Sequence, residues 1–223
     1  MDTLLRRRSM ISAAGSTPPG TTPVFYDRLV FDGTAYIDTD IVPPDMSTFI
    51  VRLGNETVKA AQRGFSFGGT NSTYYGAQLS SSTTSTNRVF QIYYGSSSSV
   101  SSNRSLAFSN ANYSFFLTPH RFGFGNTGYA ITKGSGVPSS GVSLGTNAGH
   151  SGQPYTGTMG AFRIYGSDAQ NATTFSEIET NYTPIITLRP CTYGGVPGMW
   201  CVETSTFYGN TAGAGNLSVI NLE

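Results

Sequence analysis

Three short motifs carry residue types that do chemistry. Ser66 sits in Gly64-Phe65-Ser66-Phe67-Gly68, the G-x-S-x-G spacing that holds a nucleophilic serine on a strand-to-helix turn. Phe65 and Phe67 alternate with the serine, so a strand bounded by glycines is expected in place of such a turn. Gly123-Phe124-Gly125-Asn126-Thr127-Gly128 has the G-x-G-x-x-G spacing of a phosphate cradle, which must open a helix. Strand-like Tyr129-Ala130-Ile131-Thr132 follows, so a β-hairpin around Asn126–Gly128 is expected. Glycoside hydrolysis needs two carboxyl groups about 5 Å apart for retention or about 6.5–9.5 Å for inversion. The nearest pair, Glu177 and Glu179, falls on a predicted helix, where residues two apart point in different directions. With 12 acidic residues and none on a convincing catalytic strand, no enzyme is expected.

Metal and glycan chemistry draw on other residues. Asp27, Asp32, Asp38, Asp40 and Asp45 cluster early, and Asp38 and Asp40 share a strand face. They are read as a solvated face, with calcium as the one ion they leave open, since calcium wants six to eight oxygens. His120 and His150 lack any zinc-ligand spacing, and no other cofactor is expected. Glycan binding needs an exposed aromatic platform. Tyr74-Tyr75 and Tyr93-Tyr94 are adjacent pairs on strands, so one of each pair points outward. Trp200, the single tryptophan, stacks a sugar or fills a core or subunit contact. Tyr75, Tyr94 and Trp200 are therefore the candidate stacking residues.

The elements that position these residues are strands. Leu29–Ile41 (LVFDGTAYIDTDI) reads as strand, turn, strand, an opening hairpin broken at Asp32-Gly33. Gly157–Tyr165 (GTMGAFRIY) is a late partner of the same kind. Between and after them, strand signals recur every ten or so residues, as in a sandwich. A single helical turn is expected at Asn55–Gln62. The one substantial helix expected is Phe175–Tyr182, with Thr174 and Glu177 as a capping box and Pro184 as its stop, laid on the sandwich edge. The expected fold class is all-β, a two-sheet antiparallel sandwich over residues 24–223 with one short helix. Residues 1–23 form an extended N-terminal arm.

Composition agrees with that fold and narrows the partners. Charged residues make up 11% of the 223, aromatics 13%, and there are 27 glycines, which favours short strands and polar turns. A net charge of +1 predicts no strong pull toward nucleic acid or membrane. The apolar stretch after Arg6-Arg7-Arg8 is too short for a signal peptide. Cys191 and Cys201 flank a glycine-rich turn and are expected as reduced thiols, with a cross-hairpin bridge the alternative.

The segments FDGTAYIDTDI and LGTN…GTMGAFRIYG resemble the concanavalin A-like, laminin-G-type jelly roll. The tail LRPCTYGGVPGMW…TSTFYGNTAGAG resembles a branch of that family found in phage and prophage proteins of gut bacteria. It departs from the branch at Gly198, where cysteine is frequent, and at Cys201, where aspartate is usual. The resemblance implies a jelly-roll sandwich and a non-enzymatic bacteriophage virion surface protein, a capsid decoration or a head or tail fibre subunit. Its implied partners are other virion proteins and further copies of itself.

The arm suits that setting. Leu4, Leu5, Arg6, Arg7, Arg8, Met10 and Ile11 make a basic, partly apolar peptide on a Pro/Gly tether, fit to dock into a groove on a larger assembly. The alternative function is a carbohydrate-binding adhesin that touches a host-surface glycan.

Overall fold

The computed structural model describes residues 22–54, 62–68, 74–81, 87–96, 104–107, 112–146 and 155–222. In chain order the strands are β1 (Val24–Phe25), β2 (Arg28–Asp32), β3 (Ile37–Asp38), β4 (Thr48–Gly54), β5 (Gln62–Gly68), β6 (Tyr74–Ser81), β7 (Asn87–Ser96), β8 (Arg104–Ala107) and β9 (Tyr113–Leu117). They continue as β10 (Arg121–Phe124), β11 (Thr127–Ala130), β12 (Ser143–Leu144), β13 (Thr156–Tyr165), β14 (Ile186–Tyr193), β15 (Val196–Cys201), β16 (Thr206–Gly209) and β17 (Leu217–Ile220). Helix α1 is Phe175–Asn181.

Every pairing among these strands is antiparallel, and they form two sheets. The larger runs β11-β10-β9-β4-β13-β14-β15-β16, with β1 added to β14 and β2 lying between β13 and β17. The smaller runs β3-β12-β5-β6-β7-β8. β13 is the pivot of the larger sheet. Its first half pairs with β2, Met159 opposite Leu29, and its second with β14, Phe162 opposite Leu188, while β4 follows its other edge. A register shift at Gly160-Ala161 makes the bulge that lets one strand serve both neighbours.

In β2, β4, β5, β9 and β13 an apolar phase faces the opposite sheet. Leu29, Phe31, Phe49, Phe65, Phe115 and Phe162 are each at most 1% exposed. Phe65 lies 5.0 Å from Phe162 and 5.8 Å from Phe49, centroid to centroid. Each such ring stabilises the fold by roughly 1.5–3 kcal/mol through burial alone.

The opening stretch is strand, turn, strand, but it is not a hairpin. β2 belongs to the larger sheet, whereas β3 pairs with β12 in the smaller. The turn therefore crosses between sheets, with Gly33 at φ 89° and the buried side chains of Ala35 and Ile37 leading into the core. Asp32 fixes the crossing, its carboxylate accepting from the amides of Thr34 (2.8 Å), Ala35 (2.9 Å) and Asn216 (2.5 Å).

Helix α1 spans Phe175–Asn181, one residue shorter than expected because Tyr182 is already extended. Thr174 caps it by accepting from the Glu177 amide. The Glu177 carboxylate accepts from Thr173, one residue before the cap, so the reciprocal half of the capping box is displaced. The helix lies on a face of the larger sheet, not its edge. Ile50, Phe116 and Tyr165 point outward there and form a second apolar cluster with Phe175 and Ile178. A short 3-10 turn, Ser167–Ala169, precedes the helix and was not expected from the sequence.

The arm residues Leu4, Leu5, Arg6, Arg7, Arg8, Met10 and Ile11 lie outside the described residues. So does the turn expected at Asn55–Gln62, except Gln62, which opens β5.

Candidate functional site

The hairpin of β14 and β15 turns on Gly194-Gly195, both at positive φ (58° and 80°), the backbone that a tight two-residue hairpin loop requires. That turn sets the register. Leu188, Met199 and Cys201 face the core, and the alternate residues Arg189, Cys191 and Tyr193 face outward. Trp200 is opposite Arg189, and Phe207 of β16 is opposite Trp200, so all of these share the outer face.

Tyr193, Trp200 and Phe207 form a half-buried aromatic strip on that face. The Tyr193 ring lies 5.5 Å from Trp200 and 5.5 Å from Phe207, tilted by 36° and 33°. Gly198 and Gly209 make room for it. A Cβ at Gly198 would stand 2.7 Å from the Phe207 ring and 2.3 Å from the Tyr208 carbonyl oxygen. At the other end Phe25 of β1 continues the strip, 37% exposed, with the Arg189 guanidinium 4.1 Å above its ring. Beneath these rings Cys191 is fully buried, and burial pushes its thiol up to about 11. The Tyr193 hydroxyl is shielded and has no hydrogen-bond partner among the described residues.

Because Cys191 faces outward and Cys201 inward, no disulfide joins them, and both are free.

Half-exposed rings held in a row by glycine-backed strands offer flat apolar faces with polar edges. That surface suits the C–H face of a sugar ring. Trp200 is on this outer face, half-buried. Tyr75 and Tyr94 are not, and their assignment as stacking residues is corrected. They pair across β6 and β7, each 1% exposed, with rings 5.1 Å apart in an edge-to-face contact. Their hydroxyls donate to the Gly136 and Ser47 carbonyl oxygens, and burial raises both phenol pKa values far above the ordinary range. Each lies in phase with the next pair along, Ala77 and Ile92, which faces the core. Tyr193, Phe207, Phe25 and Arg189 escaped the sequence reading. The signal for Tyr193 was present, since Gly194-Gly195 as the turn fixes its phase against Trp200.

The other candidate residues have structural partners. The Ser66 hydroxyl donates to the Thr146 carbonyl oxygen at 2.8 Å from the middle of β5. The glycines of 123–128 build the β10–β11 hairpin, with Gly125 at φ 54°. Glu179 accepts from Arg52 and Arg163. Asp38 accepts from Ser143, Asp40 from Tyr208, Asp27 from the Leu222 amide, and Asp45 pairs with Lys133. Among the described residues no three His, Cys, Asp or Glu side chains group as metal ligands. His120 is exposed. No described helix is long and apolar enough to cross a membrane. A groove of about 440 Å3 between the Asp40–Pro44 loop and Ile164, Ile185 and Tyr208 is mostly apolar and presents few polar groups to a ligand.

The two facing antiparallel sheets make a jelly-roll sandwich that carries the strip on its outer face. No protein-family model matches the chain, and no curated protein matches its sequence. A solved structure shares the architecture. A Bacteroides ovatus protein assigned to carbohydrate binding is 12% identical with a TM-score of 0.54; the match covers 90% of this chain and 62% of that one. The chain thus spans less than two thirds of that protein's length. A heptameric SAP-like pentraxin of Limulus polyphemus is 12% identical with a TM-score of 0.45, covering 78% of this chain and 95% of that one.

Proposed function

We propose that this protein is a non-catalytic carbohydrate-binding module that lays a sugar chain along the strip of Trp200, Tyr193 and Phe207. The observation that carries this reading is the strip itself, the Tyr193 ring in contact with both Trp200 and Phe207 on the outer face of a sheet and not in its core. The Tyr193 hydroxyl is shielded, so the ring faces are what the strip offers a sugar. The Bacteroides ovatus structure of the same fold agrees, being assigned to carbohydrate binding.

The test is a glycan array probed with the wild-type protein and with Trp200→Ala, Trp200 being half-buried on the outer face. Wild-type binding to a defined set of glycans, weakened about tenfold or more by Trp200→Ala with an unchanged far-ultraviolet spectrum, is the expected result. Binding that survives the substitution at full strength would move the site elsewhere.

The setting we propose is the surface of a bacteriophage particle, where such a module works as an adhesin on a fibre or decoration protein. The resemblance of the Leu188–Gly215 tail to phage and prophage proteins supports it, as does the docking character of the arm. Imaging of intact particles with a tag on this protein tests that location directly.

A further inference from the structure

Beside the strip, on the same face of the larger sheet, lies a polar pocket of about 320 Å3 lined by four arginines: Arg28 of β2, Arg52 of β4, Arg163 of β13 and Arg189 of β14. The bulge of β13 makes its floor. Gly160 lies under Arg28, and a Cβ there would stand 2.2 Å from the Arg28 Nη1. Two of the four guanidinium groups are matched: Arg52 and Arg163 each bind the Glu179 carboxylate of α1 at 2.8 Å. The other two have no ion pair among the described residues.

Arg28 is only 6% exposed. Its Nη1 reaches the Asp27 carbonyl oxygen at a long 3.5 Å, and its Nε has no partner among the described residues. Burial first, and then the nearby Arg52, lower its pKa, and the weaker opposing pull of Asp27 does not make up for them. Asp27, the acid of the pocket lining, is already engaged by the Leu222 amide at 2.9 Å. Arg189 is exposed, with its guanidinium over the Phe25 ring. A buried guanidinium with a free N–H beside a second unpaired one is a built seat for an oxyanion, whose paired oxygens fit the guanidinium fork. Arg189 also stands opposite Trp200, so pocket and strip are continuous. From Arg189 to Tyr193 the strand runs about 13 Å, the span of a short oligosaccharide and not of one sugar.

We infer that the pocket receives the oxyanion substituent of an acidic glycan, a carboxylate or sulfate held by Arg28 and Arg189, while neighbouring sugar rings lie on the strip. This rests on the carbohydrate reading, and the pocket adds charge selectivity to it.

The experiment is calorimetric titration of the full chain with trigalacturonate, with its fully methyl-esterified neutral form and with a galactose sulfate, beside thermal melts in inorganic sulfate. The expected result is that trigalacturonate or the galactose sulfate binds about tenfold or more tightly than the ester, the size of a charge-assisted contact. Which of the two does so identifies the carboxylate or the sulfate as the source of the oxyanion. In Arg189→Gln, at an exposed position and checked for folding by its far-ultraviolet spectrum, that preference falls to within about twofold. Arg28→Met, checked for folding by its far-ultraviolet spectrum, also loses protection by sulfate. Equal affinity for charged and neutral sugars in the wild type, or a preference that survives Arg189→Gln, would overturn the oxyanion seat while leaving the platform reading intact. If no sugar binds but sulfate still protects through Arg28 and Arg189, the seat stands and the platform reading fails.

Discussion

Tyr94 and Trp200 are both aromatic residues on strands, and only their phase separates core from surface. The Tyr94 hydroxyl donates to the Ser47 carbonyl oxygen inside the sandwich. Tyr94→Phe leaves that acceptor unpaired and is expected to lower stability by about 1–2 kcal/mol in urea unfolding, with glycan binding unchanged. Trp200→Ala should do the reverse. Asp32 gives a pH prediction. Partial burial pushes its carboxyl up, but the amides of Asn216, Ala35 and Thr34 and the Thr34 hydroxyl outweigh that and hold it at about 2. A folded pKa below the unfolded value contributes stability that is complete above pH ~4 and lost as the pH falls toward 2. Thermal melts of wild type and Asp32→Ala should therefore differ at pH 6 and converge in strong acid. An equal gap at both pH values would show that the carboxylate charge does not fix the crossing turn. Such roles were half legible. Asp32-Gly33 is a turn signal in any reading, but its acceptance from Asn216, 184 residues away, is written only in the fold.

At the scale of elements, strand positions follow from period-two patterning, and sheet membership does not. β2 and β3 look like a hairpin because a local pattern does not record which strand lies alongside. The late stretch 157–165 pairs with 29–32, Met159 opposite Leu29, and the bulge after Met159 that shifts its core phase to Phe162 was not legible from the pattern. The helix was legible from its cap, whereas its seat was not. The outward-facing Ile50 and Phe116 that receive it break the expected polar phase of β4 and β9. The β14–β15 hairpin supplies two predictions. Gly198→Ala sets a methyl against the Tyr208 carbonyl and the Phe207 ring, so it should cost about 1–3 kcal/mol and weaken glycan binding together. Because Cys191 and Cys201 face opposite ways, reductant should leave the melting temperature unchanged. A drop on reduction would contradict the register.

For the whole molecule, a sandwich that presents one flat strip gains firm attachment by repetition. Linked copies turn weak single-site stacking into avidity, which is why we also propose a homo-oligomer on the particle. Deleting residues 1–23 should leave the far-ultraviolet spectrum and sugar binding intact and remove the protein from assembled particles. Full occupancy by the truncated form would assign anchoring to the sandwich. The central claim is that sugar stacks on the outer strip, and the sequence provides its own reporter, since Trp200 is the single tryptophan. The most direct measurement is a fluorescence titration of the wild-type protein with an oligosaccharide that calorimetry shows to bind. The account predicts a saturable change in Trp200 emission with the same midpoint as the heat signal. Binding heat with no change in that emission would contradict it.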